Sequence, residues 1–72
     1  MDGNMKIADV QARVTVVRAW AVDHEEYANA HRAEEDLWRD VLQAIADGAD
    51  KPADLARAAL NTLLVSYPRG YA

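Results

Sequence analysis

Leu37-Trp38-Arg39-Asp40-Val41-Leu42-Gln43-Ala44-Ile45-Ala46-Asp47-Gly48-Ala49-Asp50-Lys51-Pro52-Ala53-Asp54-Leu55-Ala56-Arg57-Ala58-Ala59-Leu60-Asn61-Thr62-Leu63-Leu64 holds two apolar helical patterns separated by one break. Leu37, Val41 and Ile45 align at helical spacing, flanked by Trp38, Leu42 and Ala44. Gly48 suits the left-handed residue that ends a helix. Pro52 suits the first turn of the next, where a missing N–H costs nothing. Asp50 or Lys51 is then the cap. The new helix, about 52–66, sets Leu55, Ala59, Leu63 and Tyr67 on one stripe with Ala56, Leu60 and Leu64 beside it, and Pro68 and Gly70 stop it. So short a link makes the two helices an αα-hairpin.

Upstream, Asp23-His24-Glu25-Glu26 reads as a capping box that opens a helix over about 24–47, with no Gly or Pro until its end. Its first half is polar with small residues (Ala28, Ala30, Ala33) and is expected to be the more mobile; its second half should be anchored. Residues 7–22 carry two competing periods. Val10, Ala12, Val14, Val16 and Trp20 alternate as in a strand, whereas Ile7, Val10, Val14, Val17 and Ala21 share one helical face. No second β-branched run follows to pair with a strand, so a helix over about 5–21 is expected. A strand would require pairing between two copies in a dimer. The expectation is an all-α, three-helix domain over residues 1–72.

Fifteen of the 72 residues are Ala and none is Phe, so the core must be thin for a chain already at the lower limit of independent stability. Self-association would relieve that shortage. With no Cys there is neither a disulfide nor a thiolate metal site. No basic start precedes an apolar run and no segment is long and apolar enough to span a membrane, so a soluble, cytoplasmic protein without membrane partners is expected. The net charge of −4 is unevenly spread. Between Asp23 and Asp54 ten acids face three bases, while five bases outside that segment face two acids. Such a bipolar chain suits itself or a basic protein surface better than nucleic acid, which requires a concentrated basic footprint.

The run Val41-Leu42-Gln43-Ala44-Ile45-Ala46-Asp47-Gly48 followed by Pro52-Ala53-Asp54-Leu55-Ala56 resembles the first half of a winged-helix or helix-turn-helix domain. That family requires a further, basic recognition helix. Here the chain continues past Ala59 as apolar Leu60-Asn61-Thr62-Leu63-Leu64-Val65, and Arg69 is the only base left. A longer resemblance, over residues 37–48, 52–62 and the tail Arg69-Gly70-Tyr71-Ala72, is to small uncharacterised all-helical proteins of actinobacteria and their phages. Gly70 stands where a large aromatic is expected. That resemblance implies an accessory protein, either a phage-encoded inhibitor or a housekeeping subunit, and no activity.

No residue pattern supports catalysis, a cofactor or a metal. His24 and His31 lie about 10 Å apart along a helix, too far for one ion; an ion pair of His31 with Glu35 is the simpler reading. Ser66 has no His or acid in sequence reach. Glu25-Glu26 and Glu34-Glu35 fall in the most polar stretch and read as a solvated face. The glycines are isolated, so no phosphate-cradling loop exists. Trp, Tyr and Arg are enriched in interface hot spots, which makes Val16, Trp20, Trp38, Tyr67, Arg69 and Tyr71 the candidate contact residues. The expected function is a non-enzymatic protein-interaction or accessory module, self-associating as a homodimer through the surplus Val/Trp surface of the first helix. The alternative is a small helix-turn-helix-like DNA-binding regulator.

Overall fold

The computed structural model describes residues 5–69. Among them there are three α-helices and no strand: α1 (Ile7–Ala21), α2 (Tyr27–Ala46) and α3 (Pro52–Ala59). A 3-10 turn, His24–Glu26, leads into α2, and a 3-10 helix, Leu60–Leu64, extends α3. The strand alternative for residues 7–22 is thereby excluded.

The helical face of α1 decided the competition between periods. Val10, Val14, Val17 and Ala21 are buried and Ile7 is half-buried, while the alternating set is split between core and solvent. α1 and α2 run antiparallel, and α3 closes against both. Near the start of α1, Val10 and Val14 meet Leu37, Val41 and Ala44 of α2 and Leu55, Ala58 and Ala59 of α3. At its far end a second cluster joins Val17 and Ala21 to Ala30, Val65 and Tyr67, with Tyr27 and Ala33 against it. The first half of α2, expected to be loosely held, is thus anchored by Ala30 and Tyr27.

The caps follow from the sequence with one correction. The Lys6 amide donates to Asp9 Oδ2 at 3.0 Å, placing a carboxylate at the positive end of α1. Asp23 Oδ1 accepts from the Glu25 amide at 3.0 Å, but Glu26 does not reach back to complete the box. Its carboxylate accepts from Asn29 Nδ2 at 2.6 Å instead, and the Asp23 amide donates to the Trp20 carbonyl. At the other end of α2, Gly48 has φ +90 and donates to Ile45 O, while the Ala49 amide donates to Ala44 O. This pair of bonds is a Schellman ending. No atom would crowd a Cβ at Gly48, so the positive φ alone calls for glycine there. Lys51, not Asp50, takes the cap position of α3, in the left-handed region with φ 55.

The third helix is not the single α-helix over 52–66 that its apolar stripe suggests. α3 ends at Ala59 and the chain tightens to three residues per turn, so inward positions step by three: Ala59, Thr62 and Val65 are buried. Leu60, Leu63 and Leu64 are turned outward, at 54%, 57% and 80% exposure. Polar bonds hold this phase. Thr62 Oγ1 donates to the Ala59 carbonyl at 3.2 Å, and the Trp38 indole N–H is shared between that carbonyl and Thr62 Oγ1, at 3.3 and 3.1 Å.

Candidate interaction surfaces

Packing the Val10–Ala21 face inward leaves the opposite side of α1 bare. Val16 is 48% exposed, Trp20 38% and Val22 82%. With Ala19 they form an open depression of about 520 Å³, whose remaining lining residues are Asp23 and Glu26. No base lines it. Arg18 lies against a different hollow, with Gln11, Thr15 and Leu64, and Arg13 is taken by Asp40 at 2.8 Å.

A second surface lies between α2 and α3. Trp38, Val41, Leu42, Ala56, Ala59 and Leu60 line a groove of about 260 Å³ without a charged side chain. Leu42 and Leu60 stand exposed, and small Ala56 and Ala59 leave room between the helices. The hydrogen bonds of the Trp38 indole run inward to Ala59 and Thr62, so its apolar ring is what the groove presents.

Tyr67 and Arg69 belong to neither surface. Tyr67 is buried and its hydroxyl donates to Glu34 Oε1 at 2.8 Å. Arg69 donates to Glu34 through Nε and Nη2, at 3.0 and 2.9 Å, and through Nη2 to the carbonyls of Thr62 and Val65, both at 2.9 Å. Its guanidinium lies 4.0 Å from the centre of the Tyr67 ring, which also meets Tyr27 at 6.1 Å. Burial, then the bond to Glu34 and the charge of that carboxylate, push the Tyr67 hydroxyl up to about 12. These two candidates hold the tail onto α2 and close the end of the 3-10 helix. Tyr71 lies outside the described residues.

Glu34 itself overturns the reading of Glu34-Glu35 as one solvated face, since Glu34 is 2% exposed. The signal was present in the sequence: Ala30, Glu34, Leu37, Val41 and Ala44 recur at helical spacing, which puts one carboxylate in the apolar stripe. A carboxylate there requires a cation, and Arg69 is 35 residues away. His31 Nε2 lies 3.1 Å from Glu35. Among the described residues no group of three or more His, Asp or Glu is placed to hold a metal ion, and no helix is long and apolar enough to cross a membrane.

Compared with known proteins, the chain matches no family model, no curated protein and no solved structure.

Proposed function

We infer that this chain is a non-enzymatic protein-interaction module, and that it self-associates through the α2–α3 groove. The observation that carries the reading is the groove, where exposed Leu42 and Leu60 adjoin a floor of Val41, Ala56 and Ala59. Knobs beside a hole are self-complementary, so a copy related by a twofold axis gives its leucines and receives the same in return. No charge has to be buried in doing so.

The magnitudes make this a weak dimer. Each of these leucines is already partly covered, so burying the rest contributes about 1 kcal/mol apiece, against an association cost of about 4 kcal/mol or more. Four leucines over the two copies do little more than offset that cost, so self-association belongs in the millimolar range or weaker. Light scattering should give a mass that rises with protein concentration, and Leu60→Glu should abolish the rise while leaving helicity intact. A mass and melting temperature independent of concentration would exclude self-association.

Protein partners are favoured over DNA by where the bases go. Arg13, Arg39, Arg57 and Arg69 are each within 3.1 Å of a carboxylate of the chain itself. Half of the eight bases are therefore neutralised in place, and no basic stripe remains to track a phosphate backbone.

A further inference from the structure

The exposed face of α1 differs from the groove in its charge. Asp23 and Glu26 line the depression around Val16, Ala19, Trp20 and Val22, and Glu25 lies between them in sequence, exposed on the same turn. Elsewhere Asp40, Asp36, Asp54 and Glu34 each sit beside an arginine at 2.8 to 3.1 Å, whereas Asp9, Asp47 and Asp50 enter no ion pair among the described residues. Asp23, Glu25 and Glu26 enter no ion pair among the described residues. Asp23 and Glu26 are nonetheless held in place, by the Glu25 amide at 3.0 Å and by Asn29 Nδ2 at 2.6 Å, both neutral donors that leave the carboxylate charge uncancelled. The result is a preformed apolar floor, anchored by a half-exposed tryptophan, with fixed negative charge along one edge.

That charge selects the occupant. A second copy docked face to face about a twofold axis brings only the same patch, with three more carboxylates and no base, so it cannot cancel their charge. Nucleic acid and anionic lipid are repelled by that charge. What the face complements is a cation carried on an apolar segment, as in an amphipathic helix whose apolar side is flanked by Lys or Arg.

We propose that the Val16, Trp20 and Val22 face, with Asp23, Glu25 and Glu26 along its edge, is the docking site for a cationic amphipathic segment of a partner protein. Its apolar anchors seat on Trp20 over Ala19, and its Lys or Arg groups meet the carboxylates. The proposal rests on the reading of the chain as an interaction module but uses a surface separate from the self-association groove.

The test uses a synthetic amphipathic helix of Leu and Lys, and its Leu/Glu counterpart, titrated into the isotope-labelled full chain at low and moderate salt. The Lys peptide should bind, with amide shifts concentrated at residues 16–26 and an affinity that falls with salt, and the Glu peptide should not. Trp20→Ala, and separately Asp23→Lys with Glu26→Lys, should each weaken binding by about tenfold or more. Reversal at Asp47 and Asp50, two acids away from this face, should leave it unchanged. All of these side chains are exposed, except half-buried Glu26, and circular dichroism checks that each variant keeps its helices. Absence of binding, shifts spread over the whole acidic surface, or equal loss on reversal at Asp47 and Asp50 would overturn the proposal. So would a concentration-dependent mass that Trp20→Ala abolishes and Leu60→Glu does not, since that places a second copy on this face. Loss of self-association in Leu60→Glu with peptide binding retained separates the two surfaces.

Discussion

Half-buried Arg69 and buried Glu34 form an ion pair across 35 residues, with Arg69 Nε between both carboxylate oxygens at 3.1 and 3.0 Å and Nη2 on Oε1 at 2.9 Å. The same Nη2 donates to the carbonyls of Thr62, within the 3-10 helix, and of Val65, just past its end, so one side chain both cancels a charge and secures the end of an element. Removing one partner of such a pair strands the other, at about 3 to 5 kcal/mol. That equals most of the net stability a chain this size has. Arg69→Met should leave the protein largely unfolded by urea titration at neutral pH. Adding Glu34→Gln, which keeps an acceptor for Tyr67 but removes the charge, should restore part of the loss. Arg69→Lys should fall between, since it keeps the charge but not the two-pronged geometry.

Tyr67 makes the fold sensitive to alkali. Its hydroxyl is neutral when protonated, and burial beside Glu34 raises it from 10.0 to about 12. The stabilisation is therefore fully present below pH 10. Above it the unfolded chain releases the proton first, so stability falls until the folded hydroxyl also titrates. The loss is on the order of 2 to 3 kcal/mol. Urea midpoints should fall steeply between about pH 10 and 12, and Tyr67→Phe should flatten that fall. Tyrosinate absorbance should show one tyrosine ionising late.

Lys51 holds a left-handed backbone, φ 55 and ψ 52, directly before Pro52. A Cβ in that region costs about 1 to 2 kcal/mol, part of which glycine gives back through its greater freedom when unfolded. Lys51→Gly should raise the melting temperature, for a net gain of about 0.5 to 1 kcal/mol. Lys51→Val should lower it. Equal melting temperatures for Gly and Lys would show that the left-handed turn is not strained.

Trp38 and Thr62 are coupled through one shared bond. The indole N–H reaches Thr62 Oγ1 at 3.1 Å, and that hydroxyl donates to the Ala59 carbonyl. Thr62→Val should cost about 1 kcal/mol, and a double-mutant cycle with Trp38→Phe should return a coupling of about 0.5 to 1 kcal/mol. Additive losses would mean that packing alone, and not the bond, holds the 3-10 phase.

The elements that local chemistry specifies were legible in the sequence. Gly48 and Pro52 fix the stop and restart because a positive φ and a missing N–H are properties of single residues. The inward face of α1 was legible for a related reason: Val10, Val14, Val17 and Ala21 repeat at the helical period and leave Val16 and Trp20 outside. What failed were readings that depend on a distant residue. The stripe Leu55, Ala59, Leu63 and Tyr67 assumed that the α period continues, but the Trp38 indole bonds at Ala59 and Thr62 and shifts it to threefold spacing.

The same division governs the candidate contact residues. Periodicity and turn chemistry act within a few residues, so an all-helical chain with three segments, one hairpin break, and Val16 and Trp20 to one side of the core stripe can be read directly from residue order. The burial of Glu34, the turn of Tyr67 and Arg69 onto it, and the groove flanked by Leu42 and Leu60 arise from packing between distant segments. A buried carboxylate is tolerable only where a cation reaches it, and whether Arg69 does so depends on how the whole chain folds back on α2.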